Sequence, residues 1–161
     1  MKISKDNKLT LISLIIISSI AIIGSLLTGN AMNTWYSTLK MPWINIPIWL
    51  FDMVRSVYYF MCWVILYRIL KYTEPKKNQY ISLTILLLMM ANGEFWSFPF
   101  PGLKSTFVGF IGMIILSIVA IILYFNLRRN EKFSSNILLP YIIWLIFFDS
   151  IWIFELWRIN K

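Results

Sequence analysis

The chain has 161 residues, of which 59% are hydrophobic and only 14% charged, with a mean hydropathy of +0.71. A water-soluble globule of this composition would lack the polar surface needed to cover itself, so the chain reads as one integral membrane domain over residues 1–161. With no histidine and one cysteine it lacks the commonest general base, metal ligand and haem axial ligand, and it can form neither an internal disulfide nor a cysteine metal cluster.

A spanning helix needs about 20 mainly apolar residues. Five runs meet that need, roughly Leu9–Leu27, Ile46–Leu70, Tyr80–Phe100, Phe107–Leu127 and Ile137–Trp157. An all-α bundle of five transmembrane helices is expected. The first run follows the basic segment KISKDNK, as a secretory signal could, but it exceeds the about 7–15 residues of a signal core and is expected to be a retained helix. The connection from Thr28 to Asn45 is long and holds most of the stretch NTWYSTLKMPWINIPIWL, which is too rich in tryptophan and proline to be helical. Long loops in compact domains tend to carry function, so this one is expected to be a lid. The segments KYTEPKKNQ and RRNEKFSSN read as charged turns, and FPFPGLKS ends a helix with two prolines and a glycine.

Alternation of five spans places Lys2, Lys5, Lys8, Arg68, Lys71, Lys76, Lys77, Arg128, Arg129 and Lys132 on one side, against Lys40, Lys104, Arg158 and Lys161 on the other. The positive-inside bias puts the N-terminus in the cytoplasm and the long loop outside, and a multi-pass protein of the cell membrane is expected. The net charge of +8 then follows from topology, and no nucleic-acid partner is expected beside the lipid bilayer.

Ionisable residues inside spans are functional candidates by default. Asp52, Arg55, Glu94, Asp149 and Glu155 all fall toward the long-loop side. Arg55, about two and a half turns into its span, is near the limit of snorkelling and should pair with Glu94 or Asp149; the pair would either line a polar pocket or clamp the helices. Asp52 and Glu155 fit solvated interface positions, and Cys62 a small buried hydrophobe. Trp43, Trp49 and Trp157 suit an interfacial belt, while Trp144 is deep enough to imply helix packing or a flat aromatic ligand.

The order Trp35-Tyr36-x-x-Leu39-Lys40-x-Pro42-Trp43, then Asn92 with an aromatic run to Phe98-Pro99-Phe100, then Pro140-Tyr141-x-x-Trp144-x-x-Phe147 and Trp157-Arg158-x-Asn160, resembles the translocator protein family (TspO/MBR, the tryptophan-rich sensory proteins). The resemblance implies five transmembrane helices, frequent dimers, and binding of tetrapyrroles such as protoporphyrin and haem, or of sterol-like molecules, beneath the first loop. It implies that Trp35 and Tyr36 close over the site, that Pro42 and Trp43 hold the loop shape, and that Asn92, Phe95, Phe98, Trp144, Phe147 and Phe148 line it. No cofactor is required on this reading; a tetrapyrrole would be a ligand, bound as receptor, sensor or transporter cargo.

The chain departs from the family pattern in reading LKMPWINIP for LxKPSWxPP, and in placing Arg55 where the family carries a pocket tryptophan on the second helix. A pocket cation would suit a ligand carboxylate such as a porphyrin propionate. Trp152 stands near a usual asparagine, and Asp149 near a small or hydroxyl residue. The alternative to a binding protein is a membrane enzyme acting on a porphyrin or isoprenoid through a buried acid and tryptophan faces, light-dependent porphyrin degradation being one form. A third reading is a partner-docking protein, with Ala21-xxx-Ser25-xxx-Gly29 or Ser105-xxx-Gly109 allowing close approach of helices in a homodimer.

Overall fold

The computed structural model describes residues 5–28, 34–43, 46–74, 76–97 and 103–161. Five long helices account for nearly all of them: α1 (Lys5–Thr28), α2 (Ile48–Tyr72), α3 (Lys76–Ser97), α4 (Thr106–Asn130) and α5 (Lys132–Ile159). Within α5 a π turn over Leu145–Asp149 separates α-helical Lys132–Trp144 from Ser150–Ile159. A short 3-10 turn, Tyr36–Thr38, lies in the first connection. The described residues contain no strand. Hydrocarbon offers no partner for backbone N–H and C=O groups, so apolar runs of this length satisfy them internally as helices.

Every helix outruns its apolar core at one or both ends. The charged segment RRNEKFSSN, expected to be a turn, is helical except at Glu131, and the last residues of the tryptophan-rich stretch belong to α2, which starts directly after Pro47. The physical reason is capping. Ser105 accepts from the Val108 N–H at 3.3 Å to start α4, and the Glu131 carboxylate accepts from the Ser134 N–H at 2.7 Å to start α5. Pro47 has no N–H to lose at a helix start.

Among the described residues four helices are long and apolar enough to cross a membrane: those containing Asp6–Gly24, Trp49–Tyr72, Thr106–Asn130 and Lys132–Ile159. Helix α3, at 22 residues and about 33 Å, is long enough but carries Gln79, Ser82, Asn92 and Glu94. Its neighbours take up that polarity. Gln79 donates to the Ile69 and Leu70 carbonyls of α2 at 3.1 and 3.0 Å, and Ser82 donates to Asn126 of α4 at 2.6 Å. Contacts run α1 to α2, α2 to α5, α5 to α4, α4 to α3 and α3 back to α1, closing a ring, with α2 also touching α3.

The two ends of this bundle differ. Toward the α2–α3 and α4–α5 connections the interior is mainly apolar, with Ile65, Leu66, Ile69, Leu86, Met89, Leu123, Leu127 and Leu138 fully buried beside the hydroxyls of Thr73, Ser82, Ser134 and Ser135. Ion pairs close that end. Arg68 donates from Nε and Nη2 to Glu131 at 3.1 and 2.8 Å and lies over the rings of Phe133 and Tyr72, while Lys71 reaches Asp6 at 2.8 Å. Leu11, Ile15, Ile22, Ile118, Ile122 and Phe125 are exposed on the outside, where lipid would cover them.

Glu131 therefore joins α2 to the start of α5. Burial pushes its carboxyl up, but the hydrogen bonds from Arg68 and Ser134 outweigh this and hold it below the ordinary carboxylate value. A carboxyl depressed in the folded state stabilises above its unfolded pKa, and the benefit is lost as pH falls through the folded value. Glu131→Gln should cost about 1–3 kcal/mol near neutral pH, the worth of charge-assisted hydrogen bonds. Thermal unfolding in detergent between neutral pH and acid should show the parent's advantage over the variant shrinking on acidification; a gap independent of pH would assign it to the cap alone.

Candidate functional site

The first connection is fastened at the end of the bundle opposite the mainly apolar core. Thr38 and Ser37 donate to the Trp35 and Thr34 carbonyls at 2.6 and 2.7 Å, closing the tight turn. Tyr36 is buried, with its ring 6.2 Å from that of Trp152 on α5, and Trp152 in turn meets Phe51 of α2 edge-on at 5.1 Å. Burial raises the Tyr36 phenol above its ordinary pKa, so it stays neutral. Trp35 is half-buried against the core, Pro42 is buried, and Trp43 is 84% exposed. The end of α5 holds this loop by its backbone. The Asn160 amide accepts from the Lys40 N–H at 2.9 Å and donates to the Lys40 carbonyl at 2.8 Å, while also donating to the Leu156 carbonyl at 2.9 Å.

Below this layer lies an ionic node. Arg55 Nη2 sits 3.4 Å from Glu94 Oε2, and Arg55 Nε and Nη2 each approach the Tyr59 hydroxyl at 3.4 Å. The Tyr59 hydroxyl donates to the other Glu94 oxygen. Tyr59 follows Arg55 by four residues, one helical turn on the same face, so α2 presents both groups to α3. The Glu94 side chain is 9% exposed and the Arg55 side chain 35%. Helix α1 contributes by having no side chain: a Cβ on Gly24 would stand 1.2 Å from Glu94 Oε2 and 3.0 Å from Arg55 Nη2. Of the two acids open to Arg55 on the sequence, the structure brings Glu94 to it. Asp52 is exposed, and Glu155 pairs with Arg158 at 2.6 Å.

A third group of polar atoms lies between α2, α3 and α5. Tyr58 of α2 is buried with its ring 4.9 Å from Tyr141 and 5.6 Å from Tyr59, and a Cβ on Gly93 would lie 3.4 Å from its hydroxyl. The Tyr58 hydroxyl, Asn92 Oδ1, the Trp144 indole nitrogen and Asp149 Oδ1 are all buried without a hydrogen-bond partner. The Trp144 ring stacks on Phe148 at 4.9 Å and 13°. Asp149 ends the π turn, a distortion frequent at functional sites, and the turn follows Pro140, which lacks an N–H for the helix ladder.

The expected lining residues thus separate. Trp35, Tyr36, Arg55, Asn92 and Trp144 sit on or beneath the first connection, whereas Phe147 and Phe148 are exposed. Phe98 lies outside the described residues, as does the side chain of Phe95. Of the expected dimerisation stripes, Gly109 is buried within the bundle and Gly29 lies outside the described residues. Tyr59, Gly24, Phe51 and the latch by Asn160 were not anticipated; the spacing of Tyr59 from Arg55 is the one sequence signal that could have suggested its role. Among the described residues no group of three or more His, Cys, Asp or Glu side chains could hold a metal ion.

Two outcomes test this geometry. Gly24→Ala should cost stability in the parent by pushing Glu94 off Arg55, about 1–3 kcal/mol, and much less in a Glu94→Ala background. Equal costs in both backgrounds, measured by thermal unfolding as a double-mutant cycle, would mean that helix packing rather than the carboxylate requires glycine. Asn160→Ala should free the loop, so that trypsin cuts after Lys40 several-fold faster while the melting midpoint changes little; unchanged cleavage would show that the buried Tyr36 ring holds the loop by itself.

Comparison with known proteins accords with these features. The sequence pattern described as the TspO/MBR family matches residues 11–158. The chain is 27% identical over 139 residues to the tryptophan-rich protein TspO of Archaeoglobus fulgidus, covering 86% of this chain and 89% of that one. It is 32% identical over 127 residues to the tryptophan-rich protein TspO of Chlorobaculum tepidum, covering 77% and 78% respectively. With a latched tryptophan-bearing loop over a ring of five helices, and a match running through nearly the whole chain, this multi-pass membrane protein belongs to the TspO/MBR family.

Proposed function

We propose that the protein is a membrane receptor, sensor or transporter that binds tetrapyrroles such as protoporphyrin, or similarly flat hydrophobic molecules, among the helices beneath the first connection. The observation that carries this reading is the asymmetry of the bundle. The half near the α2–α3 and α4–α5 connections is filled with aliphatic side chains and closed by ion pairs, and the Thr73 and Ser134 hydroxyls are unmatched there, whereas the half under the latched loop sets unmatched atoms of Tyr58, Asn92, Trp144 and Asp149 among aromatic rings. Buried polar groups in membrane proteins ordinarily find partners, so unsatisfied ones beside stacked rings favour a bound molecule. The charge distribution supports a cytoplasmic N-terminus in the cell membrane, which would put the loop on the outer side.

The Arg55 side chain is about a third exposed, so a ligand carboxylate could join the node without displacing Glu94. A resident cofactor has no part in this reading; the tetrapyrrole arrives and leaves as ligand.

Titration of the purified protein with protoporphyrin, following tryptophan fluorescence and ligand mass together, tests the proposal. Saturable quenching with unchanged ligand mass is expected, weakened about tenfold or more by Trp144→Phe if stacking there contributes about 1.5 kcal/mol. Arg55→Ala should weaken it as well. Absence of saturable binding would overturn the tetrapyrrole reading, and a new product mass lost in Glu94→Gln or Asp149→Asn would move the protein to the enzyme class.

A further inference from the structure

We propose that Asp149 is a recognition group for a hydrogen-bond-donating nitrogen at the edge of a flat aromatic ligand, so that the site selects aromatic amines over ring systems of the same shape that lack the donor. The inference rests on the reading that the interior under the loop takes flat ligands, and it adds a ligand class to that reading.

Two acceptor atoms, Asp149 Oδ1 on α5 and Asn92 Oδ1 on α3, are buried with no hydrogen-bond partner. Leaving a carboxylate oxygen bare inside a membrane bundle is costly, and intramembrane acids normally pair with a cation or line a path for one. The two arginines of this half are engaged elsewhere, Arg55 with Glu94 and Tyr59 and Arg158 with Glu155. The Trp144 indole N–H is drawn toward the Asp149 carboxylate and interacts with it, but the contact is not a well-formed hydrogen bond and leaves Oδ1 unmatched. Trp144 and Phe148 are stacked five and one residues before Asp149, so an acceptor stands beside an aromatic face. A carboxylate at the margin of an aromatic face is the arrangement that receives a protonated nitrogen carried on a flat ring, through a charge-assisted hydrogen bond and cation–π attraction.

The probes are 9-aminoacridine and acridine at slightly alkaline pH, which share a ring system and differ in the exocyclic donor and the charge it brings. Binding is followed by their fluorescence with the full chain in neutral detergent. The parent should bind 9-aminoacridine about tenfold or more tightly than acridine, the worth of one charge-assisted hydrogen bond. In Asp149→Leu that preference should fall to about twofold or less. Asp149→Asn, which keeps the shape and one acceptor, should fall between and decides the matter if the leucine variant does not fold. Equal affinities in the parent, or a preference that survives both substitutions, would overturn the proposal. The two readings fail separately. Asp149-dependent selection of 9-aminoacridine without protoporphyrin binding would keep this inference and remove the tetrapyrrole; protoporphyrin binding with no preference between the acridines would do the reverse.

Discussion

The structure turns on burying one carboxylate. Glu94 lies within a helix that must sit in hydrocarbon, and a carboxylate there is tolerated only when charge and hydrogen bonds surround it. Three helices supply what it needs: α2 brings the Arg55 charge and the Tyr59 hydroxyl, α3 carries the acid, and α1 gives way through Gly24. None of the three could be shifted by a helical turn without stranding the charge. The node therefore sets the register of α1, α2 and α3, and the remaining helices close the ring against them through α2 and α3.

Helix α3 shows why the arrangement is cooperative. Its polar residues are spread along its length, and two others are also matched by neighbours, Gln79 by the terminal carbonyls of α2 and Ser82 by Asn126 of α4. The Gln79 amide gives the Leu70 carbonyl near the C-terminus of α2 a partner and adds a second donor to the Ile69 carbonyl, which already accepts from the Thr73 N–H at 3.3 Å. A segment this polar gains little from lipid and much from its neighbours, so contacts with α1, α2 and α4 hold it in the ring while Ile81 and Leu88 face outward. Asn92 is the exception on this helix, and it lies two residues from Glu94 in the half covered by the loop, where other buried polar atoms are also unmatched.

Much of this was legible in the sequence, because the bilayer leaves few choices. The runs of apolar residues marked the helices, and the pattern of tryptophan, proline and asparagine marked the family. The helix ends were read too short. Hydropathy ignores caps, and Ser105 and Glu131 extend helices into polar sequence by accepting backbone N–H groups. The partner of Arg55 was left open between two acids because depth along a helix fixes height in the membrane but not azimuth. Gly24 was illegible as a site residue, since its contribution is the space left by a missing side chain. Asn160 stood in the motif without a role, because its partner is a backbone amide 120 residues earlier, which no side-chain pattern encodes.

The Arg55–Glu94 pair also bears on what the interior can recognise. By resemblance to the family pattern, Arg55 occupies the place of an aromatic residue, and an uncompensated cation there would have made the interior attractive to anions alone. Glu94 offsets that charge, and Tyr59 spreads the contact over a hydroxyl, so the node is close to neutral while the Arg55 side chain stays partly exposed. What remains unmatched is Asp149 Oδ1, on the neighbouring helix α5 and next in sequence to a stacked pair of rings. On the readings proposed above, an interior with a compensated cation on α2 and an unmatched acceptor on α5 would discriminate by the position of charge on a flat molecule as well as by its shape. Latching the loop through the backbone at Lys40 leaves the side chains beneath it free to vary in this way without loss of closure, since the Asn160 amide reads no side chain at position 40.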